Sequence, residues 1–379
     1  MEGSSQDRTG IALSLSGGGY RAMVFHLGAI WRLNQAGLLS KLTRVCSVSG
    51  GSITAGALAL WWRNLAFDAD GVAQRLDIFI DEVRKFAHVT VDAGAIIGGI
   101  LLPGTINDRV VSAYDKHLFH HATLQDLPSE GPGTPRFCFL ATNIQTGALW
   151  RFQKCYMGDY HVGLLRDPAV PLAFAVAASS AFPPVLSPAV LKLNTPFAAT
   201  QGADLQRPPF TTHVTLSDGG VYDNLGLEPT KGFRTVLVSD AGQKMSPEPE
   251  PAHNWAQHSI RVMEVIDNQV RSLRKRHLID AFKRGDYAHG DPEGAYWGIR
   301  TDFAGYEVSD PLGCLSRNPN PLAAIPTRLQ AMDDSTQEML INWGYAICDA
   351  ALRKYGASLV TRYGAKIAEP DRFPYPRGY

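Results

Sequence analysis

The sequence lacks an excess of charge of either sign, because 36 Lys and Arg residues balance 36 Asp and Glu residues in 379 residues. A nucleic-acid-binding protein usually carries a strong positive surface, so this balance argues against that class and against membrane binding driven by charge alone. Hydrophobic residues make up 45% and charged residues 19% of the chain, which is typical of a globular protein and excludes a disordered or fibrous one.

Cysteine is scarce, since the chain has 5, widely spaced and with no C-x-x-C pair. This spacing excludes a zinc knuckle and a C-x-x-C redox motif, and no other motif requires a metal or another cofactor. The cysteines are therefore expected to be free thiols in a reducing compartment. The polar N-terminus lacks the apolar core of a secretory signal. The most apolar short run, Ala93–Leu102, is about half the ~20 residues that a membrane helix needs. We therefore expect a cytoplasmic protein, peripheral to a membrane at most.

Two short apolar runs each end in glycines and lead into a helical pattern. The first run, Ile11–Ser16, is followed by Gly17, Gly18 and Gly19 and then by the helical pattern of Tyr20–Ala36. The second run, Val45–Val48, is followed by Gly50 and Gly51 and then by the helical pattern of Ile53–Trp62. The repeated order of strand, glycine turn and helix predicts a parallel α/β sheet whose turns and helix N-termini meet at the carboxyl ends of the strands.

Further segments complete the expected core. They are a hairpin at Phe137–Thr142 and Ala148–Phe152, a helix at Leu172–Ala178, strands at His213–Leu216 and Thr235–Ser239, and helices over about 255–282 and 333–354. Long helices after the last strand predict C-terminal helices packed onto the α/β domain.

The first glycine turn predicts a site for negative charge. Glycines at Gly17–Gly19 let the backbone approach a ligand, and their N–H groups join the positive end of the following helix. The charge could be a phosphate or a developing oxyanion. A dinucleotide site would need an acid at the end of the next strand, where Cys46–Ser49 stands instead, and a P-loop would need Lys followed by Ser or Thr.

Ser49 is the candidate nucleophile, because it stands between a strand and an apolar helix and is followed by two glycines. A serine on such a sharp turn is exposed to substrate, as in the G-x-S-x-G motif, although Ser47 here replaces the first glycine. Ser49 could instead be a helix N-cap. Ser47 and Ser52 are rival hydroxyls, but neither has a glycine two residues later.

Asp218 is the candidate base, because it ends a strand and precedes Gly219 and Gly220. We expect it at the same edge of the sheet as Ser49, although a turn aspartate is the alternative. A free aspartate, with a pKa of about 3.9, is a weak base, so we expect burial to raise its pKa. The rival bases are His26, expected to be a packed or surface residue, and His213, expected toward the opposite end of the sheet.

Taken together, these motifs resemble the patatin-like phospholipase family. The matching segments are Gly17–Arg21, the serine turn, Asp218–Gly220 and Ala177–Pro184, over about Ile11 to Gly226. The resemblance implies a three-layer α/β/α fold, a mainly parallel central sheet, and a Ser–Asp dyad that cleaves lipid acyl esters without calcium. It implies Ser49 as nucleophile, Asp218 as base, an oxyanion hole of Gly17, Gly18 and Gly19, and supporting roles for Arg21, Gly51, Gly219 and Gly220.

We therefore expect an acyl hydrolase domain over residues 8–356, including the C-terminal helices, followed by a partly ordered tail at 357–379. The implied partners are a phospholipid or other lipid ester and, transiently, a membrane surface, with no nucleic acid. A small-molecule activator, the oligomeric state, a phosphate- or nucleotide-binding role for the glycine loop, and a catalytically inactive lipid-binding module remain open.

Three other segments each have two interpretations. Ala93–Leu102 and the pair Trp61 and Trp62 could be core, or could line an acyl channel or contact a bilayer. The basic residues of the long helix could bind an anionic headgroup or a phosphate-bearing activator, or could form a solvated helix face; they are Arg271, Arg274, Lys275 and Arg276, with His277.

Overall fold

A computed structural model describes residues 9–91, 105–198, 200, 202–243, 245–376 and 378. The apolar run Ala93–Leu102 lies outside these residues. Its three interpretations, core packing, an acyl channel and a membrane contact, therefore stay predictions. Among the residues described, no helix combines the length and the hydrophobicity that crossing a bilayer requires.

The strands are β1 (Ile11–Leu15), β2 (Leu42–Val48), β3 (Arg136–Asn143), β4 (Ala148–Phe152), β5 (Tyr156–Asp159), β6 (Gly163–Arg166), β7 (Ala189–Lys192), β8 (His213–Asp218), β9 (Thr235–Asp240) and β10 (Glu293–Gly298). The helices are α1 (Gly19–Gln35), α2 (Gly50–Trp61), α3 (Leu76–Ala87), α4 (Ile106–Tyr114), α5 (Leu172–Ser179), α6 (Gly220–Asp223), α7 (Trp255–Arg284), α8 (Asn320–Ala324), α9 (Asp334–Tyr355) and α10 (Ala357–Tyr363). The predicted elements all occur, and the structure adds α3, α4, α6, α8, α10, β5, β6, β7 and β10.

The strands form one mixed sheet in the order β10-β9-β1-β2-β3-β4-β5-β6, with β8 also on β3 and β7 on β8. The five strands from β10 to β3 are mutually parallel, which confirms the predicted parallel core. An antiparallel meander of β4, β5 and β6 extends the sheet beyond it. The parallel strands therefore end at one common edge, where their following turns meet.

Alternate residues of the parallel strands pack into different cores, because successive side chains point to opposite faces of a sheet. On β1, Leu13 joins the large core that also contains the apolar residues of α1, α2 and α9, whereas Ala12 joins a small core with Leu278 of α7. The result is the predicted three-layer arrangement of helices, sheet and helices.

The C-terminal segment is attached to this body. Tyr375 exchanges two hydrogen bonds with Asn342 of α9, through its main-chain N–H and its carbonyl oxygen, each at 3.0 Å. Residues 357–363 form α10. The C-terminal segment thus contacts α9, whose apolar residues share the large core with those of α1 and α2.

Candidate active site

Ser49 occupies a strained turn between β2 and α2. Its φ of 51° and ψ of −123° lie in a region that residues with a side chain seldom adopt. The turn is pressed against the first glycine turn, because a Cβ at Gly50 would lie 2.0 Å from the carbonyl oxygen of Gly19. A Cβ at Gly51 would lie 2.5 Å from the carbonyl oxygen of Leu15. The hydroxyl of Ser49 makes no capping hydrogen bond to α2, so the N-cap alternative does not account for it.

The first glycine turn presents two main-chain N–H groups rather than three. Gly18 and Gly19 have φ values of 145° and 59°, which glycine alone adopts freely. The N–H of Gly17 donates to the carbonyl oxygen of Asn224 at 3.2 Å. No acceptor for the N–H groups of Gly18 and Gly19 is found among the residues described. Of the three predicted oxyanion glycines, these two retain N–H groups for an incoming negative charge.

Arg21 anchors this turn from beneath. Its buried guanidinium donates through Nε to the carbonyl oxygen of Ala241 at 2.9 Å, and through its terminal nitrogens to Ile325 O and Thr327 Oγ1. Burial lowers the pKa of Arg21 to about 10. These three bonds connect α1 with distant loops, which indicates a structural role for the side chain.

Asp218 reaches Ser49 because two strands approach each other end to end. On β3, Leu140 pairs with Val48, the last residue of β2, and the next residue, Ala141, pairs with Asp218, the last residue of β8. Strand β4 occupies the other edge of β3, so β2 and β8 share one edge. Since β8 runs antiparallel to β3, its C-terminal end arrives where β2 ends, and Ser49 follows directly.

One oxygen of Asp218 is engaged and the other is not. Oδ1 accepts a hydrogen bond from the N–H of Gly220 at 2.6 Å, whereas Oδ2 is buried and has no hydrogen-bond partner among the described residues. Burial raises the pKa of Asp218 to about 7, against the lowering effects of Gly220 and of the nearby Ser49 hydroxyl. This direction agrees with the expected desolvation.

The buried side chain of His26 belongs to a structural network. Its Nε2 lies 2.9 Å from the carbonyl oxygen of Ser16, and Nδ1 lies 2.8 Å from Ser239 Oγ. Burial lowers the pKa of His26 to about 4, so the imidazole is neutral. A carbonyl oxygen only accepts, hence Nε2 carries the proton and donates to Ser16. His26 is a packed residue, as expected, and both its nitrogens are occupied.

His213 is not where we expected it. Because β8 is antiparallel to β3 and its pairing with β3 begins only at Leu216, opposite Asn143, His213 lies beyond the carboxyl end of β3 rather than at the opposite end of the sheet. It is exposed, and it is roughly 16 Å along the strand from Asp218. The expectation was wrong because sequence does not report strand direction.

Ser49, Asp218, Gly17 and Gly18 line one cavity of about 400 Å³. Its remaining wall includes five polar residues of α7, Arg261, Glu264, Asp267, Asn268 and Arg271, together with residues from other segments, among them Arg21, Phe182, Asn224, Met245 and Thr327. A larger cavity of about 830 Å³ lies between Trp31 and the C-terminal segment and contains none of these residues. The structure thus brings the predicted nucleophile, the predicted base and the glycine turn to the same small cavity.

Three of the five residues in the predicted basic patch of α7 have partners on the body, whereas Arg276 and His277 are exposed, as a solvated helix face predicts. Arg271 donates to the carbonyl oxygen of Gln243 at 2.5 Å, Arg274 lies 3.2 Å from Glu228, and the ammonium of Lys275 lies 4.3 Å from the ring centre of Tyr296. The solvated helix face is therefore wrong for these three residues, because each has a partner on the body.

The tryptophan pair belongs to the core, as the more conservative interpretation held. Trp62 is buried and packs against Phe67 and Phe137, with ring centres 5.0 and 5.7 Å away. Trp61 is partly buried against the same large core.

Two residues of the site escaped the sequence analysis. Asn224 holds Gly17 through its carbonyl oxygen, and its side chain fills the space beside Gly17 and Gly220. Ser179 accepts a hydrogen bond from the N–H of Ser49. The only signal for either was proximity in sequence, to Asp218 for Asn224 and within the Ala177–Pro184 block for Ser179.

The fold and the site define a mixed α/β protein in which a serine on a strained strand–helix turn shares a cavity with a buried aspartate. A family model described as patatin-like phospholipase matches residues 13–231, more than half of the chain. The chain therefore belongs to the patatin-like phospholipase family.

Solved structures with the same fold include a human GIVD cytosolic phospholipase A2, with a TM-score of 0.50 and 12% identity. That comparison covers 95% of this chain and 60% of the human chain, so this chain spans about three fifths of it. VipD from Legionella pneumophila is also similar, with a TM-score of 0.38, 16% identity, and coverage of 92% of this chain and 67% of that chain. Comparison with curated proteins yields no match.

Proposed function

We propose that the chain is a lipid acyl hydrolase of the phospholipase A type, with Ser49 as nucleophile and Asp218 as base. The observation that carries the proposal is the buried Oδ2 of Asp218, which has no hydrogen-bond partner among the described residues, on a residue that lines the same cavity as Ser49. An unpaired buried acceptor is unfavourable, and such a group is retained where it has a task. Receiving the proton of the serine hydroxyl is a task that suits its position.

In the proposed reaction, Ser49 Oγ attacks the ester carbonyl carbon while its proton passes to Asp218. The carbonyl oxygen becomes negative and accepts hydrogen bonds from the N–H groups of Gly18 and Gly19. The C–O bond to the alcohol breaks, and the alcohol leaves with the proton from Asp218. Water then attacks the acyl-enzyme, Asp218 takes the water proton, and that proton returns to Ser49 as the fatty acid departs.

The environment of Asp218 makes it a suitable base. A pKa of about 7 is near the pH at which a general base is both ionised and basic enough to accept a proton in the transition state. The burial that raises this pKa also strengthens the interaction of the glycine N–H groups with the oxyanion, because water is excluded.

Binding of a phosphate or nucleotide to the Gly17–Gly19 loop is the competing function. Three carboxylates, Asp218, Glu264 and Asp267, and three guanidiniums, Arg21, Arg261 and Arg271, line the same cavity, so the charge of its wall does not select a phosphate. Specific labelling of a serine by a fluorophosphonate separates the two functions, because a phosphate-binding loop does not require an activated hydroxyl.

The test is labelling by a fluorophosphonate and release of fatty acid from defined phosphatidylcholine vesicles. Ser49→Ala should abolish both, and Asp218→Asn should reduce both by several orders of magnitude. Ser47→Ala is the control, because Ser47 is a rival buried hydroxyl that donates to Cys138 O at 3.4 Å, accepts from Ser52 Oγ at 3.0 Å, and should be dispensable for labelling. Labelling that persists in Ser49→Ala would remove the assignment.

We also propose that α7 contacts the lipid aggregate from which substrate comes. Its exposed apolar residues Trp255, Val262, Ile266 and Leu273 are spaced by seven and four positions and so share one side of the helix. The cavity-lining polar residues of α7 lie on the other side. This reverses the usual orientation of a surface helix, whose apolar side faces the core, and is the pattern of an interfacial helix.

A pair of valines tests this contact. Val262 of α7 and Val360 of α10 are both exposed helical valines, with 43% and 46% of the side chain accessible. Val262→Glu should weaken cosedimentation with phosphatidylcholine vesicles several-fold, whereas Val360→Glu should not. Hydrolysis of a short-chain, water-soluble ester should be equal in both variants. Equal vesicle binding by the two variants would remove α7 from the contact.

A further inference from the structure

Ser179 is buried at the end of α5, between the turns that carry Ser49 and Asp218. Its Oγ accepts a hydrogen bond from the N–H of Ser49 at 3.0 Å and donates one to the carbonyl oxygen of Leu140 at 2.6 Å. Its own carbonyl oxygen accepts the N–H of Gly219 at 3.2 Å. One residue is therefore bonded to the serine turn by its side chain and to the aspartate turn by its main chain.

Leu140 is the residue of β3 at which these connections meet. It pairs with Val48, the last residue before Ser49. Its carbonyl oxygen accepts the Ser179 hydroxyl and lies so close to Gly219 that a Cβ there would be 2.3 Å away. Ser179 thus connects the serine turn to Leu140 through its hydroxyl and the aspartate turn to its own carbonyl oxygen.

The serine turn needs such support, because its positive φ is strained. Strained backbone persists only where the surroundings hold it. Without the Ser179 hydroxyl, the N–H of Ser49 would lose its partner in a buried position, and a buried donor without a partner is unfavourable. Relaxation of the turn would move the Ser49 hydroxyl relative to Asp218.

We propose that Ser179 is a positioning residue that sets the placement of Ser49 relative to Asp218 through its hydroxyl bridge between the serine turn and β3. It contacts neither reacting atom, since it reaches Ser49 through the main-chain nitrogen and the aspartate turn through Gly219. Its importance for catalysis rests on the proposed function, whereas the bridge itself is a geometric claim that can be tested without turnover.

The adjacent residue Ser180 provides a matched control. It is also buried, and its Oγ donates to the carbonyl oxygen of Val176 at 2.8 Å, with no hydrogen bond to either turn through its side chain among the described residues. Ser179→Ala and Ser180→Ala each delete one buried hydroxyl from the same segment. Ser179 Oγ also lies 2.8 Å from Ser52 Oγ and so has three partners where Ser180 Oγ has one, hence Ser179→Ala should lower the unfolding midpoint more.

The two variants should differ in catalysis. Misplacement of a reacting group by about 1 Å can lower the rate on the order of 100-fold. We expect Ser179→Ala to lower kcat 10- to 100-fold, by that same order-of-magnitude argument, with KM nearly unchanged. Ser180→Ala should retain most of kcat. Equal kcat values in the two variants would overturn the proposal, because loss of a buried hydroxyl would then be the whole effect.

The pH profile gives a second kinetic measurement. The nearby Ser49 hydroxyl lowers the pKa of Asp218. If Ser179→Ala moves that hydroxyl away, the midpoint of kcat/KM should shift to higher pH. In Ser180→Ala it should stay at the wild-type value. A midpoint that is the same in both variants contradicts displacement of Ser49.

Amide hydrogen exchange tests the bridge itself. Ser179→Ala should speed exchange of the Ser49 N–H, and Ser180→Ala should leave it protected. If the wild-type chain neither labels on Ser49 nor releases fatty acid while this exchange pattern holds, the proposed function fails and the bridge stands. If the Ser49 N–H stays equally protected in both variants, the bridge is refuted whatever the activity.

Discussion

Replacement of Asp218 by asparagine should stabilise the protein at neutral pH while it abolishes hydrolysis. Asparagine retains an oxygen that can accept the N–H of Gly220, the bond that Oδ1 of Asp218 makes at 2.6 Å. It removes the charge from a position that is 2% exposed. The expected gain in the free energy of unfolding equals the cost of holding an ionised Asp218 in this buried position.

The size of the gain follows from the pKa. Burial raises the pKa of Asp218 from 3.8 to about 7, a difference of roughly three units. Each unit corresponds to about 1.4 kcal/mol, so the full effect is about 4 kcal/mol. The contribution of Asp218 to stability is greatest below pH 3.8 and is lost as the pH rises to about 7. The advantage of Asp218→Asn should therefore increase over this interval and then remain constant.

Urea unfolding of the wild type and of Asp218→Asn between pH 4.5 and pH 8 measures this. The difference in unfolding free energy should increase by about 3 kcal/mol over that range. Any loss of packing in the variant is independent of pH and cancels from this increase. Asp280→Asn, at an exposed aspartate of α7, is the control and should give a small, flat difference. A flat difference for Asp218→Asn, or one that falls with pH, would refute the burial argument.

Three further outcomes follow from the site. The kcat/KM for ester hydrolysis should fall about tenfold per pH unit below the pKa of Asp218, about 7, and level off above it, as measured by a pH–rate profile in constant ionic strength. Gly51→Ala should abolish fluorophosphonate labelling, because its Cβ would lie 2.5 Å from a main-chain oxygen, whereas Gly305→Ala, with no atom within 4 Å, should label normally. His26→Phe should lower the unfolding free energy by about 1–3 kcal/mol in urea titrations, because it leaves buried hydrogen-bonding groups unpaired. The midpoint of the pH–rate profile should not change, and a changed midpoint would make His26 part of the base.

Local sequence patterns predicted most of the elements around the site. The turns at Gly17–Gly19, Ser49 and Asp218–Gly220 were recognisable because backbone conformation at a tight turn depends on neighbouring residues, above all on glycine. Helical periodicity likewise predicted α7 and α9 to within about two residues at each end, which is the usual precision of helix ends.

Contacts between distant segments were not predictable in this way. The antiparallel direction of β8 is set by its pairing with β3 and could not be predicted from the sequence. The predicted location of His213 was wrong for this reason. The use of the Gly17 N–H by Asn224 and the partners of Arg271 and Arg274 likewise depend on segments far apart in the chain.

The sequence by itself therefore determined which turns form and which candidate residues they hold, because both are properties of a few consecutive residues. Only the tertiary structure decided that β2 and β8 meet end to end along one edge of β3. It also decided that Ser179 bridges the turns that follow these strands. It also decided that Asp218 is buried enough for its pKa to rise to about 7. Each of these depends on solvent exclusion and hydrogen bonds between segments that come together only when the whole chain packs.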